Sequence, residues 1–313
     1  EGRAIRLNPA DDVLVAVDAI AEGATVQGVL AREKVPRGHK MSAAAIAEGA
    51  PVKKFGQIIG FASQPIEAGR HVHTHNLAYA TFERDYAIGA DAKPVAPANA
   101  PLSFQGFRRA DGRVGTRNYV AIVTSVNCSA TVAKLMAEAV RKSGMLEKFP
   151  NVDGVIPITH GTGCGMASEG EGFDALRRTI WGHATHPNVA ATLFVGLGCE
   201  VFQLGRLKAE YGITEGEHFQ LMTIQETGGT KKSIADGMAR LEGMLPFANR
   251  SVRETVPASE IVLALQCGGS DGYSGITANA ALGAAVDQLA RHGGAGGLAE
   301  TPEIYGAAHL LTR

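Results

Sequence analysis

Four cysteines, Cys128, Cys164, Cys199 and Cys267, are the first residues that invite a chemical reading. Their wide spacing matches neither a zinc ribbon nor a Cys-x-x-Cys pair. Each nevertheless follows an apolar run that reads as a strand, which would bring all four thiols to one sheet edge. Thiolates suit iron, zinc and iron–sulfur clusters, whereas a free cysteine is also an ordinary small buried hydrophobe. His160-Gly-Thr-Gly-Cys-Gly165 adds an imidazole and glycine-exposed backbone N–H groups, a turn able to hold an anion and carry an acid–base group. As a dinucleotide fingerprint it fails, because its glycine spacing is wrong. A plain tight turn with a surface histidine is the other reading. A second loop, Gln266 to Asn279, is dense in small polar groups, with Ser270, Asp271 and Asn279 suited to a hydroxyl-rich ligand. His71-Val-His-Thr-His-Asn76 places imidazoles at alternate positions, on one face if the run is a strand. Such a face could chelate a metal, touch a substrate, or simply be solvated.

The elements that must position these groups fall into two kinds. Residues 1–83 read as a compact β module containing a three-fold echo: Ala19–Val26, Ala45–Val52 and Pro65–Val72. Each copy sets a β-branched residue three before a glycine and another three after it, as a turn between short strands would. Residues 84–104, rich in Pro and Ala, read as a linker. Beyond it, apolar runs at Tyr119–Val126, Val152–Ile158, Ala191–Val195, Phe219–Ile224 and Ile261–Gln266 alternate with helical periods. One of these helices is closed by Gly144 and another is expected to stop at Pro246. Apolar strands alternating with amphipathic helices predict a parallel α/β sheet of Rossmann-like type over residues 105–252. Residues 253–313 read as the start of a further α/β catalytic domain, incomplete here.

Composition narrows the function classes. A net charge of −1 gives no global basic field for nucleic acid or a membrane surface. No apolar run is long enough to cross a bilayer, and no signal-peptide pattern opens the chain. Four cysteines in 313 residues make no disulfide framework, so reduced thiols and a cytoplasmic setting are expected.

The motifs together resemble one family. The segment from Ala19 to Asn76, with Gly38-His-Lys40, Phe55-Gly-Gln57, Ile59-Gly60 and the histidine run, looks like the SAF (β-clip) domain of the altronate/galactarate dehydratases. The same family is matched by Arg109-Ala-Asp-Gly-Arg-Val-Gly-Thr-Arg-Asn118, the His160–Gly165 turn and His186-Pro-Asn188. Gly196-Leu-Gly-Cys-Glu200, the loop from Cys267 to Asn279, and Glu300-Thr-Pro-Glu-Ile-Tyr-Gly306 complete the ordered set. Some members carry His-Thr-Tyr-Gly-Cys where this chain has His160-Gly-Thr-Gly-Cys164, so an aromatic is missing here. The family's members extend beyond Arg313, which makes C-terminal truncation an expectation.

The resemblance implies a hydro-lyase that removes the C2 proton and C3 hydroxyl of a sugar acid to give a 2-keto-3-deoxy acid. It also implies iron, as Fe²⁺ or an Fe–S cluster, with another divalent metal as an alternative, and a homodimer. On that reading His160 and His75 are acid–base candidates, and Cys128, Cys164, Cys199 and Cys267 are metal candidates. Arg117, Asn118, His73, Ser270, Asp271 and Asn279 would hold carboxylate and hydroxyl groups. Two rival readings remain: a sulfo-lyase eliminating sulfite from sulfolactate, which the same family includes, and a non-catalytic carbohydrate-binding SAF protein.

Overall fold

The computed structural model describes residues 2–266 and 271–313. Cys267 and Ser270 therefore lie outside the described residues. The chain is a mixed α/β protein that divides into two units. The first comprises residues 1–97, 262–291 and 295–313, and the second residues 98–261 with 292–294.

In the first unit the three-fold echo becomes three equivalent turns. Gly23, Gly49 and Gly69 all take positive φ, the conformation that only glycine adopts without strain. The flanking residues Ile20 and Val26, Ile46 and Val52, and Ile66 and Val72 are buried. Antiparallel bridges join Ile20 to Val35 and Ile46 to Ile66. The strands form a four-stranded sheet of Ala4–Ile5, Val13–Ala16, Lys40–Ser42 and His71–Val72 and a three-stranded sheet of Pro51–Lys54, Gln57–Ala62 and Leu77–Ala78. Two small apolar clusters hold it, one around Leu14, Ile20 and Met41, the other around Val52, Ile66 and Val72.

The second unit contains the parallel sheet. Its strands are β1 (Tyr119–Thr124), β2 (Gly154–Ile158), β3 (Val189–Gly196) and β4 (Phe219–Thr223), all parallel, in the order β2-β1-β3-β4. Every residue of β3 is buried, as a central parallel strand covered on both faces requires. Helices α1 (Ala130–Ser143) and α4 (Thr230–Asn249) cover one face through Met136, Val140, Leu241 and Met244. Helices α2 (Glu171–Ala184) and α3 (Leu204–Tyr211) cover the other through Phe173, Ile180 and Leu207. α1 and α4 pack closely because Gly237 has no side chain; a Cβ there would sit 2.5 Å from the Met136 sulfur.

Two expectations need correction. α4 does not stop at Pro246 but runs through it to Asn249. A proline in the last turn forfeits one hydrogen bond, while Leu245 and Ala248 stay fully buried on the same helix. The apolar run at Ile261–Gln266 is a strand, Val262–Leu265, but not a member of the sheet that carries the other cysteines. It pairs in parallel with Ala295–Leu298 in a two-stranded sheet of the first unit. Among the described residues, the edge of the large sheet carries the loops of Cys128, Cys164 and Cys199.

Candidate functional site

In the first unit four imidazoles pack together. His71 opens the two-residue strand His71–Val72, but the run does not continue as a strand. Residues 73–76 form a turn closed by hydrogen bonds from the Asn76 and Leu77 N–H groups to the His73 carbonyl. The buried Asn76 pins it from inside, its amide donating to the His71 carbonyl (2.9 Å) and accepting from the His73 N–H (3.0 Å). The turn brings His71 within 5.4 Å of His73 and 5.5 Å of His75, between ring centroids. His39, on the neighbouring strand's approach, stacks on His73 at 5.1 Å and sets its Nδ1 2.9 Å from His71 Nε2. One ring of that pair donates and the other accepts, so both are neutral or share one proton.

Crowding decides the charge state. Burial, then the neighbouring His39, His73 and His75, push His71 down to about 4. Burial, then His73 and Lys40, lower His39. Lys40 is lowered too, by burial and then by Lys54. His39, Lys40 and His73 line a cavity of about 260 Å³ with Gly38, Asp271 and Gly272. The Asp271 loop is locked in place. Its carboxylate accepts from the N–H groups of Tyr273 (2.6 Å) and Ser274 (2.8 Å), and Tyr273 Oη donates to the Ala16 carbonyl at 2.9 Å. Gly272 must be glycine, because a Cβ would collide with the Gly38 carbonyl oxygen. Asn279 is exposed in the first turn of the Ala278–Arg291 helix.

In the second unit Cys128, Cys164 and Cys199 follow the carboxyl ends of β1, β2 and β3, three adjacent strands. All three thiols are free and exposed. The Cys128 thiol donates to Asn127 Oδ1 (3.8 Å); desolvation first, then the neighbouring Cys164 and Cys199, hold its pKa above the ordinary thiol value. Their loops are stitched to one another. The Asn127 N–H donates to the Thr162 carbonyl (2.8 Å). Ser125 Oγ donates to the buried Glu200 (2.7 Å), whose carboxylate also takes the N–H groups of Leu197 (3.2 Å) and Gly198 (2.6 Å). His160 belongs to this stitching. Its Nε2 donates to the Thr124 carbonyl (3.0 Å), and its Nδ1 accepts from the Thr162 N–H (3.3 Å). Both ring nitrogens being occupied, the imidazole pins the turn. Among the described residues, no three His, Cys, Asp or Glu side chains converge closely enough to hold a single ion.

Arg117 and Asn118 stand at the other edge of the sheet, just before β1 begins. Asn118 is fully buried; its amide donates to the carbonyls of Asn151 (2.7 Å) and Ala248 (2.9 Å) and accepts from Arg109 (2.8 Å). No group of it is left for a ligand, so the substrate role expected of Asn118 gives way to that of a structural hub. The N–H groups of Thr116 and Arg117 both donate to the Asn188 side chain, joining two of the family-like motifs in one interlock. A cavity of about 400 Å³ at this edge is lined by Arg109, Trp181 and His218, but the Arg109 guanidinium is committed to Pro187, Asn118, Ser251 and Arg117.

Comparison with known proteins bears on this geometry directly. Three family models match the chain in order: the altronate/galactarate dehydratase SAF domain at residues 2–80, the D-galactarate dehydratase/altronate hydrolase second domain at 106–249, and the D-galactarate/altronate dehydratase C-terminal model at 258–313. The chain belongs to the altronate/galactarate dehydratase family. It is 33% identical over 315 residues to an altronate dehydratase of Bacillus subtilis, covering 98% of this chain and 61% of that protein. It is 35% identical over 312 residues to an altronate dehydratase of Escherichia coli, covering 98% and 62%. The galactarate dehydratase (L-threo-forming) of Escherichia coli is 33% identical over 289 residues, covering 90% and 55%. The chain thus spans about three-fifths of the length of the altronate dehydratases it matches.

Within this family member, the sequence singled out the His71–Asn76 histidine run and Asp271, but His39 and Lys40 figured only in a family-like motif with no role given to them. Gly38-His39-Lys40 carried the signal, since a histidine and a lysine directly after a positive-φ glycine mark a fixed turn rather than a free surface. Glu200 was legible only as part of a motif. Its task of tying the Cys199 loop to β1 depends on contacts across the sheet.

Proposed function

We propose that this chain is the substrate-handling part of a sugar-acid hydro-lyase, of altronate or galactarate type, yielding a 2-keto-3-deoxy acid. The observation that carries this reading is the cavity bounded by His39, Lys40, His73 and Asp271. Removing the C2 proton requires a base that is neutral near pH 7 and a cation for the carboxylate whose charge the enediolate extends. His39, held below the ordinary imidazole value, is such a base, and its bond to His71 passes the proton within the cluster. The half-buried Lys40 supplies positive charge, while Asp271 and His73 take substrate hydroxyls. His75, next to His71, remains the candidate for returning a proton to the leaving hydroxide.

Iron, when bound, would supply Lewis-acid stabilisation of the enediolate and the leaving group. Two sets of residues have donor chemistry for it: the imidazole pair and the three thiols. The parallel sheet is taken as a Rossmann-like platform, and a homodimer as the assembly.

The test is product identity. The polypeptide as encoded, purified without oxygen and supplied with Fe²⁺, is incubated with altronate, galactarate and sulfolactate. Keto-acid from a sugar acid supports the reading and names the substrate. Sulfite from sulfolactate moves the protein to the sulfo-lyase branch, and no turnover of any of the three overturns both.

A further inference from the structure

The cavity of about 400 Å³ at the amino edge of the parallel sheet has no task in the chemistry assigned to the imidazoles, and all of its lining residues belong to the second unit. We propose that it binds a small planar monoanion, an aromatic or conjugated carboxylate, whose ring lies against Trp181 and Phe247 and whose charge faces Arg109. This goes beyond the dehydratase reading and stands whether or not the chain acts on a sugar acid.

The topology supplies the ring wall. All four strands begin at this edge, so α2 and α4 both end at it. Trp181 in the last turn of α2 and Phe247 in the last turn of α4 therefore meet Phe219, the first residue of β4. The rings are continuous. His218 stacks on Phe219 with centroids 4.1 Å apart and on Phe247 at 5.5 Å. Trp181 stacks with Phe219 at 5.8 Å and is backed by Tyr211 at 4.4 Å. Such a wall suits a flat apolar body, and the volume lies in the range of small-molecule sites.

The charge comes from Arg109. Its guanidinium donates to the Pro187 carbonyl (2.7 Å), Asn118 Oδ1 (2.8 Å), Ser251 Oγ (3.2 Å) and the Arg117 carbonyl (3.1 Å). Each of these acceptors is neutral. The half-buried cation is thus fixed in place, with no carboxylate bonded to it among the described residues. Its two neighbours in the lining differ: Arg108 holds Glu254 at 2.7 Å, and Arg113 holds Asp111 at 2.7 Å. One positive charge is left over, which is why a monoanion fits. Burial lowers Arg109 itself, and only the Asp111 charge works against that. Part of His218 is open to solvent, yet burial of its ring and then the Arg109 charge hold it below the ordinary imidazole value. A buried charge without a counter-ion is costly, and an anion beside it recovers part of that cost.

Trp181 is the chain's one tryptophan, so its emission reports this cavity. The experiment titrates the chain with benzoate and trans-cinnamate while following that emission. Both should give a saturable change. Benzyl alcohol, of similar shape but neutral, should bind on the order of tenfold more weakly, as the loss of a charged contact implies. Sulfate, an anion without a ring, should not displace cinnamate at equal concentration, and neither should altronate. These comparisons all use the wild-type chain, so none depends on a variant folding. His218→Ala opens the ring wall and should weaken cinnamate and benzyl alcohol alike. Arg109→Gln, where circular dichroism shows a native fold, should weaken cinnamate alone, down to the affinity of the neutral probe. Equal binding of cinnamate and benzyl alcohol would make the cavity merely apolar. Displacement by sulfate would make it a general anion site, and displacement by altronate would assign it to the sugar acid. No saturable change with either carboxylate would remove this ligand class altogether. Each of these four results overturns the proposal.

Discussion

At the scale of single residues, the imidazole cluster ties charge state to stability. His71 has a folded value near 4 against an ordinary 6.5, so between those pH values the unfolded chain binds more protons than the folded one. Stability from this group is present in full above pH 6.5 and is lost as pH falls toward 4. The slope is at most about 1.4 kcal/mol per pH unit for one proton, reduced because the ring is partly exposed to solvent. Urea unfolding of the wild type should show this dependence and His71→Gln should flatten it; identical profiles would remove His71 as its source. A different single residue tests the opposite edge of the sheet. Asn118→Ala leaves the Ala248 and Asn151 carbonyls and part of Arg109 without their partner. It should cost roughly 2–3 kcal/mol in unfolding free energy, as buried unsatisfied groups do, with turnover per folded molecule unchanged. Lost turnover in a still-folded variant would restore it as a substrate ligand.

At the scale of elements, the loops after β1, β2 and β3 act as one assembly. Glu200 accepts from one side chain and two backbone N–H groups, so Glu200→Ala frees the segment carrying Cys199. Faster alkylation of Cys199, with the rate at Cys267 unchanged, is the expected outcome. Equal rates would mean that the loop holds its shape without the carboxylate. Helix packing gives a second element-level test. Gly237→Ala pushes a methyl group against Met136 and should destabilise by about 1–2 kcal/mol in thermal unfolding, since the flexible methionine yields only in part.

At the scale of the molecule, the two units have separate apolar cores. The first is held by the clusters around Leu14 and Val52, the second by the larger ones on either face of the parallel sheet. Unfolding followed by tryptophan fluorescence, which reports only Trp181 in the second unit, should therefore separate from unfolding followed by far-ultraviolet circular dichroism. Acidification from pH 6.5 to 4 should shift the first unit's transition more, because the crowded histidines belong to it. Coincident transitions at every pH would show that the units unfold as one. Among the described residues no helix is long and apolar enough to cross a membrane.

The local pattern of the chain determined its elements. Apolar runs and helical periods marked β1 to β4 and the helices α1 and α4 that cover one face, and repeated glycines marked the turns of the first unit, because side-chain periodicity and φ preference are local properties. Ordered motifs also carried the family. Partner choice was not local. Val262–Leu265 paired with Ala295–Leu298 rather than joining the large sheet, a choice that its own apolar pattern does not encode. The histidine run looked like a strand face but folded as a turn, because Asn76 closes backbone bonds that a strand would leave to a neighbour. His39 joined the cluster through strand pairing across some thirty residues, which no spacing rule reads. Only tertiary packing decided that Asn118 and His160, both polar and both in family motifs, spend their hydrogen bonds on the protein itself.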